Sequence, residues 1–375
     1  MYAYHELRKL HFEITDKCNA TCPQCPRNDC GGTVNPRLPL VELSVDDVRR
    51  MVPESLVRQL RHIYACGNYG DPVVAKDTLA IFSYFRRAND KAYLGLHTNG
   101  SARKPEWWAE LGRLMRHPTG YVRFSIDGLE DTNAVYRRNT RWRVIMQSVE
   151  AFIGAGGNAE WDFLVFRHNE HQVEAARARA KAMGFTRFTA KATARFFDGQ
   201  RLQHIDRTPV KDKSGNVVSY LERPLSPEWN NEALTRMRAV TEHYGTSTRY
   251  LDTTTISCKV AAEKAIYISA DGVVLPCCWL GARSYMASAS QQEAFAQMVA
   301  AAGGVAALNA KHHSIEAIVA GPLFQRGFPE SFAKRSLTEG RIYTCAWICG
   351  ELTPSTVQWK NSERFPAPVL PQPVG

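Results

Sequence analysis

Residues 13–27 read Glu-Ile-Thr-Asp-Lys-Cys-Asn-Ala-Thr-Cys-Pro-Gln-Cys-Pro-Arg and set Cys18, Cys22 and Cys25 in one short loop. Three thiols at Cys-x3-Cys-x2-Cys spacing can hold three irons of a [4Fe-4S] cube and leave the fourth iron without a protein ligand. A structural zinc site is ordinarily closed by four protein ligands, arranged as local pairs set far apart. Cys30 is the nearest candidate for a fourth. On spacing alone, an open-cornered cube and a zinc site both remain.

The flanking chain decides what kind of scaffold carries this loop. Leu10 to Thr15 alternates in character and reads as a first strand. Ser44 reads as an N-cap, with Asp46 and Asp47 in the first turn of a helix running toward Gln59 and a break at Pro53. Strand His62 to Cys66 follows, closed by Gly67-Asn68-Tyr69-Gly70-Asp71-Pro72. The rhythm then repeats with strands at Tyr93 to Thr98, Tyr121 to Asp127, Glu160 to Phe166 and Arg187 to Ala192. Between them lie helices at Asp77 to Asn89, Pro105 to Arg116, Arg141 to Ile153 and Glu170 to Met183. Six strands alternating with helices specify parallel βαβ units, because parallel neighbours need a long crossover. A partial barrel and a doubly wound sheet both satisfy this, and both collect functional groups on loops at the carboxyl ends of strands.

Composition sets the outer bounds. The chain has 375 residues, 44% of them hydrophobic, which suits one large domain and a smaller one with a sizeable core. The ten cysteines cluster at metal-ligand spacings, so reduced thiols in a cytoplasmic setting are expected rather than disulfides. No apolar run approaches the roughly 20 residues that span a bilayer, and no signal-peptide segment opens the chain. The net charge of +10 comes from Arg and Lys scattered along helical segments such as Arg177 to Lys181. That distribution reads as solvated helix faces, and nucleic acid is not the expected partner.

The loop, its place after a first strand and the βα repeats that follow resemble the radical S-adenosylmethionine (radical SAM) superfamily. The resemblance implies an α/β fold, a partial (β/α)6 barrel of TIM type, with Cys18, Cys22 and Cys25 holding a catalytic [4Fe-4S] cluster. In that family the open iron chelates the amino and carboxylate groups of S-adenosyl-L-methionine. One electron, from a reductant such as flavodoxin or ferredoxin, then yields a 5′-deoxyadenosyl radical that abstracts a hydrogen atom from the substrate. Gly67 to Pro72 is similar to the family's Gly-Gly-Glu-Pro turn, with Asp71 where Glu is commoner, and so implies that Asn68, Tyr69, Gly70 and Asp71 meet the cofactor. Ser125-Ile126-Asp127-Gly128 and Thr98-Asn99-Gly100 likewise resemble family strand ends and imply cofactor roles for Ser125, Asp127 and Asn99. Tyr136-Arg137 matches a family dipeptide, although Arg137 reads equally well as a surface residue.

A second group comprises Cys258, Cys277, Cys278, Cys345 and Cys349, with an Asp271-Gly272 hairpin signal before Cys277. This layout resembles the family's twitch domain, a reduced SPASM domain, and implies one auxiliary [4Fe-4S] cluster on Cys258, Cys277, Cys345 and Cys349 with Cys278 spare, although adjacent residues at a strand end point in different directions and the sequence leaves Cys278 open as the ligand in place of Cys277. A four-thiolate zinc site competes with it. Trp279 and Trp347 read as apolar cover for this site, and Cys30 and Cys66 as small buried hydrophobes, Cys66 lying near the cofactor turn. His11, His97 and His168 show no metal-ligand spacing and receive no role.

The expected organisation is a core over 1–198, a linker and bridging helix over 199–250, an auxiliary-cluster domain over 251–355 and an extended tail over 356–375. The expected function is reductive cleavage of S-adenosylmethionine and hydrogen abstraction from a peptide, a protein or a small molecule such as a sugar. Roughly ten residues precede the first strand, too few for a separate peptide-recognition domain, which argues against a leader-peptide substrate. The alternative is a non-catalytic Fe-S or zinc protein with a basic surface for nucleic acid.

Overall fold

The computed structural model describes residues 1–198, 203–283, 293–351 and 357–366. Six strands, β1 (Lys9–Phe12), β2 (His62–Ala65), β3 (Tyr93–Thr98), β4 (Gly120–Ser125), β5 (Ala159–Leu164) and β6 (Arg187–Thr193), pair in parallel in sequence order. A helix or helix pair follows each of the first five strands, as the parallel connections demand. The sheet remains open rather than closing on itself: it is the partial barrel expected from the repeats.

Between the core and the second cysteine group, short strands β7 (Phe197–Asp198) and β8 (Gln203–His204) pair with each other. A hairpin of β9 (Arg207–Lys211) and β10 (Val217–Glu222) turns through Gly215. The bridging helix is Ala233–Tyr244, preceded by a short 3-10 turn at Pro227–Trp229. Farther along, the Ala-rich region contributes short helices at Glu293–Ala301, Gly304–Ala307 and Ile315–Ala320.

Two late segments join the core sheet. The hairpin expected at Asp271-Gly272 forms as β11 (Ala265–Ile268) and β12 (Val274–Leu275), and β11 also pairs in parallel with β1, Leu10 opposite Ile266, extending the core sheet. At the opposite edge, residues placed in an extended tail form β13 (Val357–Arg364), which pairs antiparallel with β6. The complete order is β12-β11-β1-β2-β3-β4-β5-β6-β13. Neither edge partner was readable locally, because both pairings join segments far apart in sequence. The end of the tail lies outside the described residues.

Alternation along the strands sorts the sheet into two chemically distinct faces. Leu10, Phe12, Ile63, Leu94, Leu96, Val122, Phe124, Trp161, Phe163 and Phe188 form the outer face and are buried with helix residues such as Phe82, Phe85, Trp108 and Phe152. Each such side chain contributes roughly 1.5–3 kcal/mol by leaving water. The concave face is polar. His11 stacks on Tyr64 at 4.4 Å, and His97 lies 5.8 Å from Tyr121. Arg123 and Arg187 both pair with Glu160, and Lys191 pairs with Asp162. Trp359 of β13 lies over Arg123, Arg187 and Lys191.

Candidate active site

The ends of β1 to β6 open onto one cleft with about 810 Å³ of free space, its mouth included. Cys18, Cys22 and Cys25 line it, together with Asn68, Tyr69, Gly70, Asp71, Asn99 and Ser125. The structure thus brings the three thiols and nearly every residue anticipated for the cofactor to one place. His97, Cys66, Tyr136, Arg137 and Arg195 join them.

Local packing explains this convergence. Gly70 lies flat against the end of the first strand, so that a Cβ there would sit 1.8 Å from the Thr15 carbonyl oxygen. The amide of Asp71 donates to the Lys17 carbonyl at 2.9 Å, immediately before Cys18. The Gly67–Pro72 turn and the cysteine loop are therefore docked backbone to backbone, a fit open only to glycine.

Asp71 serves that docking. Its buried carboxylate accepts from the Thr98 hydroxyl at 2.9 and 3.1 Å, the Asn99 amide at 2.7 Å and the Val73 amide at 3.1 Å. Burial raises its pKa, and those donors pull it back. It ties the turn after β2 to the turn after β3. Asn99 then reaches the cysteine loop, donating at 2.9 Å to Asn19 Oδ1 and at 3.8 Å to the Cys18 sulfur.

Asp127 does not line the cleft. Its fully buried carboxylate accepts from the Leu164 amide at 2.6 Å and from Arg137 Nε at 2.5 Å, and Arg137 Nη1 lies 3.8 Å from the Cys22 sulfur. Burial works against the Arg137 charge, but Asp127 and Cys22 hold its pKa above the ordinary value. Arg137 is thus a partly buried cation at the cleft wall, held against the cysteine loop. The Tyr136-Arg137 dipeptide was the only sequence signal for it. Burial pushes the Cys22 thiol up to about 11 and raises the Cys18 thiol as well.

Cys66 and His97 face the cleft although neither sits at a metal-ligand spacing in the sequence. Burial drives the His97 pKa well below its usual value, leaving a neutral ring within 3.3 Å of the Tyr121 hydroxyl. Burial raises the Cys66 thiol to about 12. Cys30, with φ at +50°, lines neither this cleft nor the second cysteine cavity.

The second cysteine group meets at a separate apolar cavity of about 70 Å³. Cys258, Cys277, Cys345 and Cys349 line it, with Trp279, Leu280, Phe328 and Phe332, while Cys278 does not. A hydrogen bond between Cys258 and Cys349 raises the first thiol and lowers the second. Trp347 stacks parallel to Tyr343 at 6.1 Å and does not line the cavity. Among the described residues, no group of three or more His, Cys, Asp or Glu side chains is gathered for a single metal ion. The donor sets are three thiols on a polar cleft and four round an apolar cavity, and thiolate is the ligand type that iron–sulfur clusters and zinc share. Among the same residues, no helix is long and apolar enough to cross a membrane.

Comparison with known proteins places this geometry. The chain shares its fold with Streptococcus suis SuiB bound to the precursor peptide SuiA, at a TM-score of 0.52 and 12% identity, covering 90% of this chain and 70% of that one. It matches hexahistidine-tagged anSMEcpe with bound AdoMet at 0.50 and 13%, covering 84% and 77%. Streptococcus suis SuiB bound to S-adenosylmethionine aligns at 0.47 and 14%, covering 73% of this chain, which spans 61% of SuiB's length. No curated protein sequence matches. The family model described as the Radical SAM superfamily matches residues 12–180, from the first strand into the helix before the last core strand.

Proposed function

We propose that the chain is an enzyme that binds a [4Fe-4S] cluster on Cys18, Cys22 and Cys25 and S-adenosyl-L-methionine beside it, and uses them to modify a polar substrate held on the concave face. One observation carries the reading: three thiols share a cleft with the Gly67–Asp71 turn, Asn99 and Ser125. The cluster and cofactor, when bound, supply reductive cleavage and hydrogen-atom abstraction. The chain's own residues do the rest. Asp71 and Asn99 fix the cysteine loop against the cofactor turn, and Arg137 places a positive charge beside Cys22. The four thiols at the apolar cavity hold one auxiliary [4Fe-4S] cluster, with Cys277 rather than Cys278 as ligand, which the cavity lining supports.

A polar substrate fits the floor below the cleft. Among the described residues, Arg123, Arg187 and Lys191 meet only Glu160 and Asp162 in their ion pairs, and an Asp162 oxygen lies buried without a partner. A buried oxygen of this kind asks for a donor from a bound molecule. A peptide side chain or an oxidisable sugar meets that demand, and a flavodoxin or ferredoxin would supply electrons. The test is anaerobic reconstitution. Iron and sulfide near two cubes per chain, with 5′-deoxyadenosine released on reduction by dithionite, support the reading. Stoichiometric zinc without cofactor cleavage refutes it.

A further inference from the structure

The turn facing the cleft is held from beneath by residues on both sides of the long gap between the cysteine groups. Glu13, next after β1, is buried, and its carboxyl accepts the backbone amides of Asn68 and Tyr69. The Tyr267 hydroxyl, on β11, donates to the same carboxyl. The Asn68 side chain donates to the Tyr267 hydroxyl at 3.3 Å and to the Cys278 carbonyl at 3.0 Å, and the Tyr69 hydroxyl donates to the Ala282 carbonyl. Three contacts of one short turn thus end on residues 267–282, the segment that brings Cys277 to the apolar cavity.

Peptide geometry says what this bracing achieves. In a trans peptide the N–H and C=O point in opposite directions. With the Asn68 and Tyr69 amides directed at Glu13, the carbonyls of Gly67 and Asn68 are turned away from it, and both residues line the cleft. Carbonyl oxygens so presented suit an ammonium group. A single buried carboxyl serves three donors, so the loss of one partner loosens the others.

Resting on the functional reading above, we propose that Glu13 is a positioning residue that orients the Gly67 and Asn68 carbonyls, and that Tyr267 and the Cys278 carbonyl make cofactor affinity depend on the fold of the second cysteine segment. Neither Glu13 nor Tyr267 lines the cleft.

The experiment is equilibrium dialysis of S-adenosyl-L-methionine against the full, anaerobically reconstituted chain, with iron content and the EPR signal of the reduced first cluster recorded alongside. Glu13→Gln and Tyr267→Phe are each expected to raise Kd by about tenfold, a typical coupling between sites. The double variant should lose no more than the worse single, because both remove one network. Tyr69→Phe, which deletes only the hydroxyl reaching Ala282, should weaken binding several-fold even if Glu13→Gln folds poorly. Cys345→Ser, in the other cavity, should also weaken it. The proposal is overturned if Tyr267→Phe and Tyr69→Phe bind like wild type, if the losses add, or if affinity falls only in step with lost iron at the first site. A wild-type chain that holds its clusters yet binds no S-adenosylmethionine overturns the functional reading and this proposal with it.

Discussion

Arg137 bridges Asp127 and Cys22, its Nε 2.5 Å from the carboxylate and its Nη1 3.8 Å from the sulfur. Asp127 is fully buried, so removing its charge leaves the half-buried Arg137 guanidinium without its carboxylate partner. Losing one partner of a buried pair costs on the order of 3–5 kcal/mol. Asp127→Asn should therefore lower the unfolding free energy by about that much and reduce iron retained by the cysteine loop. Urea unfolding and iron analysis check both. Unchanged stability would mean that the pair is not desolvated.

The docking of the turn on the first strand predicts a contrast between two glycines. At Gly70 a Cβ would meet the Thr15 carbonyl at 1.8 Å, whereas at Gly154 nothing lies within 4 Å. Gly70→Ala should abolish S-adenosylmethionine binding and destabilise the chain by several kcal/mol, of the order of an overpacked core site. Gly154→Ala, at a helix end, should shift stability by less than about 1 kcal/mol, and favourably. Calorimetry of the two variants checks the difference.

Glu13 makes stability depend on pH. Burial pushes its pKa up to about 7, opposed by the Tyr267 hydroxyl and the Asn68 and Tyr69 amides, with Asp16 adding to the rise. The nearby Cys66 and Cys278 thiols are raised by burial and stay neutral. The folded chain thus favours the protonated acid. The benefit is complete below pH 4.5, where the unfolded carboxyl is also protonated, and is lost as pH rises through about 7. Relative to Glu13→Gln, wild-type unfolding free energy should fall by roughly 2–3 kcal/mol between about pH 5 and pH 8. The reference variant cancels the opposite slope from His11, which burial holds neutral down to about 4. A difference that stays flat across this range contradicts the assignment.

The adjacent pair Cys277 and Cys278 should separate cleanly. Cys277 lines the apolar cavity, and Cys278 begins the helix that follows, its carbonyl bonded to Asn68. Cys277→Ala should remove about one cube of iron per chain, and Cys278→Ala should leave iron near the wild-type level. Iron and sulfide assays on the two variants decide it, and equal losses would contradict the assignment of Cys277.

The parts that the sequence revealed were those written locally. Cysteine spacing, Gly-Pro punctuation and the strand-helix rhythm each occupy a few consecutive residues, and they placed Cys18, Gly70, Asn99 and Ser125 in what proved to be one cleft. The parts that stayed hidden depend on pairing across the chain. His97 and Cys66 face the cleft only because their strands put those positions on the concave side. Glu13 gains meaning from Tyr267, and Trp359 from three cations on β4 and β6. Arg137 lay between these cases: its dipeptide was visible, but its burial depended on a partner ten positions away at Asp127.

The two late strands also set the order in which the molecule can be made. β1 waits for β11, and β6 for β13, so a ribosome that has released only the six core strands presents a sheet with both edges bare. Unpaired edges recruit other strands, and domains emerge from the amino terminus first. The nascent core is therefore most vulnerable to aggregation in the interval before residues 265–268 emerge, and the β6 edge stays open until Val357–Arg364 arrives.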